Sequence, residues 1–281
     1  MKLMISRFTL VILAALAMSA KPAAAATITG FGPKTSYPTQ DALKMDFRKT
    51  SSDPWFSVGT YKEQPNVVRS APANGNLVYA EDGFSSENKT YFDISNKTTF
   101  SLDFYIESTA TGNRIGLAAV NSDETHSFMG SFYTESVTTT TAVGYLRFED
   151  FNFSLTNTRN SRLDPVSTNV TLETGIWYRL ALEFSNYEDG VVDVDLFLYS
   201  LSKRGGEVTG TIQSLSHAGI VLSNFSLGNE VQYGVLAGAV NAGRILLDGF
   251  QAQSIPEPGA MAIVGVGFLS LLVFNYRRGV K

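Results

Sequence analysis

Asp193 and Asp195 stand two residues apart in Val191-Val192-Asp193-Val194-Asp195-Leu196-Phe197-Leu198-Tyr199. On an extended strand that spacing puts both carboxylates on one face, beside the rings of Phe197 and Tyr199. Carboxylates so placed can hold calcium where loop carbonyls complete the oxygen shell, and carboxylates beside aromatic rings can grip a sugar. The same pattern is also that of the wet face of an antiparallel sheet. Trp55, in Ser52-Asp53-Pro54-Trp55-Phe56, offers a ring that can stack on a sugar from a loop or pack as a corner.

Other chemistry finds little to build on. His126 and His217, the two histidines, fall on different expected elements, and imidazole-bound zinc would need further ligands from carboxylates. There is no Gly-x-Ser-x-Gly elbow for a serine nucleophile, no P-loop, and no Gly-x-Gly-x-x-Gly after a strand. The chain has no cysteine, which excludes disulfides, thiolate metal sites and a cysteine nucleophile. Glycoside hydrolysis needs two carboxylates across a cleft, and Glu149-Asp150 and Glu188-Asp189 both read as turn-like.

These residues must be held by strands. Phe100, Leu102, Phe104 and Ile106 alternate with Ser101, Asp103, Tyr105 and Glu107. Tyr178, Leu180, Leu182 and Phe184 alternate with Arg179, Ala181 and Glu183 in the same way. Further strands are expected at 43–48, 76–80, 114–120, 128–133, 143–149, 207–212, 220–227, 231–237 and 244–253. Turn pairs such as Asn74-Gly75, Asp82-Gly83 and Asp189-Gly190 separate them. Asp189-Gly190 between two strongly patterned strands is the clearest hairpin. About a dozen strands without a helical period predict an all-β fold, two antiparallel sheets packed face to face over residues 41–253.

Composition agrees with a folded, acidic domain. Of 281 residues, 44% are hydrophobic, 12% aromatic and 17% charged, which is too apolar for extended disorder. The net charge is -4, and six of the 22 basic residues but one of the 26 acidic ones lie in the two ends. Residues 27–256 therefore hold 16 basic and 25 acidic side chains, which leaves no footprint for a nucleic acid backbone.

The ends read as addresses. Lys2 and Arg7, the apolar run Phe8 to Met18 and Ala23-Ala24-Ala25-Ala26 have the layout of a secretory signal peptide over residues 1–26. Eleven apolar residues rise about 16 Å as a helix, too short to span a bilayer. Residues 27–40 form a linker. At the other end, residues 254–281 contain Pro256-Glu257-Pro258, an uncharged stretch over 259–276, and a basic tail with Arg277 and Arg278. Eighteen residues give about 27 Å of helix, enough for an inner-membrane span with its tail in the cytoplasm. The two prolines keep the preceding segment extended.

Pro256-Glu257-Pro258, the apolar helix and the arginine-containing end together resemble the PEP-CTERM sorting signal of Gram-negative bacteria. The resemblance implies export by the Sec machinery, a transient membrane anchor, processing by an exosortase and residence at the cell surface or in the extracellular matrix. Within the domain, Gly175-Ile176-Trp177-Tyr178-Arg179-Leu180 with its hairpin, and Ile245-Leu246-Leu247-Asp248-Gly249-Phe250, resemble strands of concanavalin A-like and laminin-G-like jelly rolls. Hydrolases of that class carry a Glu-x-Asp-x-x-Glu strand, which this chain lacks. The resemblances imply a non-catalytic, lectin-like sandwich with exopolysaccharide as partner and no cofactor beyond a possible calcium. The alternatives are a polysaccharide hydrolase with an atypical carboxylate site and a ligand-free structural protein.

Overall fold

The computed structural model of the protein describes residues 26–27, 39, 41, 47–49, 57–61, 64–69, 76–80, 91–107, 114–152, 159–238 and 245–255. The expected signal peptide up to Ala25, Trp55, and the segment from Pro256 through Arg277 and Arg278 to Lys281 lie outside the described residues, as does nearly all of the linker. Among the described residues no helix is long and apolar enough to cross a membrane.

Numbered in chain order, the strands are β1 (Ala26–Thr27), β2 (Phe47–Lys49), β3 (Ser57–Tyr61), β4 (Gln64–Arg69), β5 (Asn76–Ala80) and β6 (Tyr91–Asp93). There follow β7 (Lys97–Ile106), β8 (Arg114–Val120), β9 (His126–Val137), β10 (Thr141–Asn152), β11 (Arg159–Val166) and β12 (Val170–Glu173). The last are β13 (Trp177–Glu188), β14 (Val191–Leu201), β15 (Val208–Val221), β16 (Glu230–Gly238) and β17 (Ile245–Ile255). The first sheet runs β15-β14-β13-β7-β17-β4-β3, with β1 also on β17. The second runs β11-β10-β9-β8-β16-β5-β2, with β12 on β10 and β6 on β16. Every pairing is antiparallel, so the described chain is a two-sheet antiparallel sandwich.

Period-two alternation becomes burial directly. β14 buries Val192, Val194, Leu196 and Leu198 and leaves Asp193, Asp195, Phe197 and Tyr199 half exposed. β13 turns Leu180, Leu182 and Phe184 inward, and β7 turns Phe100, Leu102 and Phe104. Facing them are Phe128 and Phe132 of β9, Leu146 and Phe148 of β10, and Val231, Tyr233 and Val235 of β16. Phe104 stacks on Phe132 at 6.2 Å and Phe100 meets Tyr233 edge-on at 5.2 Å. Each such side chain, taken fully out of water, contributes about 1.5–3 kcal/mol. The Tyr233 hydroxyl donates to the Ser101 carbonyl at 3.0 Å, so its burial leaves no orphaned polar atom. Gly130 lets the sheets approach: a Cβ there would lie 2.8 Å from Leu196 Cδ1 and 2.9 Å from Leu182 Cδ1.

The structure differs from the sequence expectation at residues 207–227. One strand, β15, replaces the two expected at 207–212 and 220–227, and a 3-10 turn over Leu222–Phe225 follows it. β15 is an edge strand with three register shifts against β14, and each bulge resets the alternation that the expectation relied on.

Candidate functional site

The outer face of the second sheet gathers the groups most suited to holding a ligand. β9 sends Phe128 and Phe132 into the core, so Ser127, Met129, Ser131 and Tyr133 face outward. β10 does the same with Tyr145, Arg147 and Glu149. Antiparallel register lines these up as rows: Arg114 beside Tyr133 beside Tyr145, Gly116 beside Ser131 beside Arg147, and Ala118 beside Met129 beside Glu149. Arg162 of β11 stands next to Glu149.

Glu149, 1% exposed, is the hub. Its Oε2 accepts from Arg114 Nε at 2.9 Å and from Ser131 Oγ at 2.8 Å and is ion-paired with Arg114 Nη2, while its Oε1 pairs with Arg147 Nη2 at 2.6 Å. Two guanidiniums sharing one carboxylate leave the cluster with surplus positive charge. Burial pulls the Arg114 pKa below its ordinary value, and the charge of Glu149 and the hydrogen bond to it oppose that shift. Arg147 also lies 4.3 Å from the Tyr133 ring centroid, and Arg162, 48% exposed, lies 5.8 Å from that of Tyr145. The two tyrosine rings are 5.7 Å apart. Both guanidiniums lie within cation–π range of their rings.

The middle of this face is closed to solvent, with Ala118, Val120, Met129 and Leu236 packed in one buried cluster. Gly116, Ala118 and Gly234 sit side by side across β8 and β16, and a Cβ on Gly116 would lie 2.8 Å from Met129 Sδ. In the next row Gln232, Val120 and Ser127 are all buried. Neither amide atom of Gln232, nor Ser127 Oγ, nor Arg147 Nε has a hydrogen-bond partner among the described residues. Orphaned buried polar atoms cost about 1–3 kcal/mol each, and here they collect on one face.

The first sheet's outer face holds the residues that spacing singled out. Asp193 and Asp195 do share a face with Phe197 and Tyr199, whose rings stack at 5.7 Å with planes 16° apart. Asp193 is committed to local structure: Oδ2 accepts from Asn186 Nδ2 and Oδ1 from the Gly219 amide, both at 2.9 Å, and these bonds hold its pKa below the usual carboxylate range. Asp195 stands opposite Glu183 on β13 and Ser216 on β15. One uncommitted carboxylate of the pair is too little for calcium, which takes six to eight oxygens. Among the described residues no three His, Asp or Glu side chains stand together as metal ligands. His126 Nδ1 contacts Thr125 Oγ1 and His217 Nδ1 contacts the Ala218 carbonyl, each in its own turn. Further along the same face, Asp103 (0% exposed) binds Arg179 through two hydrogen bonds of 2.6 and 3.0 Å, and Asp248 accepts from Arg204 Nε at 2.6 Å. Burial pushes the Asp103 pKa up and Arg179 pulls it back.

Sequence reasoning placed neither Tyr133 and Tyr145 nor the arginines and Gln232 in a site, because cross-strand register assembles them. The available signal was Tyr145-Leu146-Arg147-Phe148-Glu149, an aromatic, a cation and an anion at period two on one strand. No family model matches the chain, and no curated protein does. Among solved structures the chain is similar to a carbohydrate-binding module from Bacillus subtilis, with 10% identity, 75% of this chain and 96% of that one covered, and a TM-score of 0.44. It is also similar to a lectin from Bauhinia forficata crystallised with GalNAc (12%, 78% and 96%, 0.41) and to β-agarase A from Zobellia galactanivorans (9%, 76% and 84%, 0.40). Likenesses this distant leave the ligand to be argued from the chain's own residues.

Proposed function

We propose that the protein is an exported surface or matrix component of a Gram-negative bacterium whose sandwich, a concanavalin A-like jelly roll, holds an acidic extracellular polysaccharide without cleaving it. On this proposal the Sec machinery exports it, the apolar helix anchors it transiently, and an exosortase processes it at Pro256-Glu257-Pro258. The signal-peptide layout and the ordered parts of the C-terminal segment support that address.

The observation that carries the binding is Arg147 lying on Tyr133 while sharing Glu149 with Arg114. Guanidinium edges pair with carboxylates in two-point fashion, and tyrosine rings accept the apolar face of a sugar. A polymer of sugars bearing carboxylates matches both demands on a domain that is otherwise acidic. Glu149 is met by Arg114, Ser131 and Arg147 at once, so its role on this reading is to position the arginines.

Calorimetry against polygalacturonate tests this. The native protein should bind, Arg147→Ala and Tyr133→Ala should each weaken binding by about tenfold, and Arg147→Lys should recover little because it loses the planar fork. Native protein that fails to bind, or an Arg147→Ala variant that binds as well as native, would overturn the proposal. Appearance of new chain ends in the polymer would favour the hydrolase alternative.

A further inference from the structure

The opposite face of the sandwich carries its own built cleft. The loop Ser202–Glu207, with Arg179 and Gln251, lines an open cleft of about 640 Å³ on the first sheet. Its wall is fixed in advance: Arg204 donates to Asp248 Oδ2 and to the Pro65 carbonyl, both at 2.6 Å, and lies 5.8 Å from the Trp177 ring. Ser202 N bonds the Glu207 carbonyl and Gly206 N bonds the Lys203 carbonyl, each at 3.0 Å, closing the loop on itself. A preformed wall spares a ligand the cost of ordering it.

The floor beside this cleft has the plan of a sugar platform. Register sets Tyr199 next to Arg179 and Phe197 next to Ala181, which in turn lies next to Ser101. Ala181 and Ser101 are short and buried, so the floor drops where the stacked rings rise. Stacking uses one face of each ring and leaves the other to a ligand. Ser101 Oγ donates to Gln251 Oε1 at 3.3 Å, which fixes the amide and leaves its nitrogen as a donor. Acceptors surround the platform: burial and the nearby charges of Glu183 and Asp195 push the Tyr199 pKa up.

We infer that this face is a second glycan site, selective for a neutral, hydroxyl-rich oligosaccharide. Asp195 and Glu207 accept hydrogen bonds from paired hydroxyls, Lys203 in the same lining offsets part of their charge, Tyr199 and Phe197 take the ring face, and Gln251 donates. The site lies on the other sheet from the arginine cluster and shares no residue with it, so the inference stands independently of the acidic-polymer proposal. A protein with both sites bridges two chemically different polymers.

The test is calorimetry of the purified protein against four neutral hexasaccharides: cellohexaose, laminarihexaose, mannohexaose and N-acetylchitohexaose. At least one should bind. Tyr199→Ala and Gln251→Ala should each weaken it by about tenfold, Tyr199→Phe should bind nearly as well as native, and Arg147→Ala should leave it unchanged. Both positions are half exposed, and an unaltered thermal midpoint confirms the variants fold. Failure of all four to bind, a Tyr199→Ala variant that binds normally, or competition between the neutral sugar and polygalacturonate for one site would overturn the inference. Loss of polygalacturonate binding alone would overturn only the acidic-polymer proposal.

Discussion

Asp150 shows how a single side chain can work against the fold that holds it. Its Oδ1 is buried with no hydrogen-bond partner among the described residues, and burial raises its pKa while His126 opposes the rise. A carboxyl whose folded pKa lies above its unfolded one favours folding when protonated, and that contribution is lost as pH rises through the folded pKa. Asp150→Asn should therefore match the native thermal midpoint near pH 3 and exceed it by a small margin at pH 7; equal midpoints at both pH values would show that the carboxylate is better solvated than this. Glu149, its neighbour on the other face, is buried too but is met by three side chains. No local pattern in Glu149-Asp150 separates the two. Their difference comes from Arg114 on β8 and Ser131 on β9, remote in the chain, and for the same reason the face shared by Asp193 and Asp195 was legible while the role of Asp193 as a turn staple was not.

At the scale of elements, the strands that were legible are those with one buried face and a regular partner. β5 and β8 fall at the expected bounds, and Asp189-Gly190 makes the expected hairpin with φ of 49° and 82°, as a tight turn between right-twisted strands needs. β1, β3, β4, β6, β11 and β12 were not foreseen. β4 and β11 contain Pro65 and Pro165 and polar runs, and β11 stands at a sheet edge, where one side needs no ladder and apolar alternation is not required. The bulge in β17 is the least legible feature and among the most consequential. Register shifts between Asp248 and Gln251, Gly249 takes φ of 58°, and a Cβ there would lie 2.7 Å from Asp103 Oδ2. The bulge sets Asp248 opposite Asp103 while bringing Gln251 opposite Ser101. Gly249→Ala should cost about 2 kcal/mol or more in urea unfolding, from strain at positive φ and displacement of the Asp103–Arg179 pair; a cost near zero would mean the strand can slide to relieve it.

For the whole molecule, absence of cysteine leaves stability to the packed interior of two sheets, and the two outer faces are free to differ in charge. The proposed address is tested at this scale by fractionating cells with and without the exosortase: the protein should reach the exterior in the first and accumulate in the membrane fraction in the second, and equal release from both would sink the sorting assignment. One detail of the fold bears on how such a protein can be mounted. β1 pairs Ala26 with Ser254 and Thr27 with Gln253, so both ends of the described domain emerge at one corner. If those ends are pulled apart, the load falls first on a two-residue ladder that peels and then on β17, in the interior of the first sheet. The domain is built as a pendant, not a link. It can hang from a surface or be spliced into a longer chain, because both connections leave from one corner.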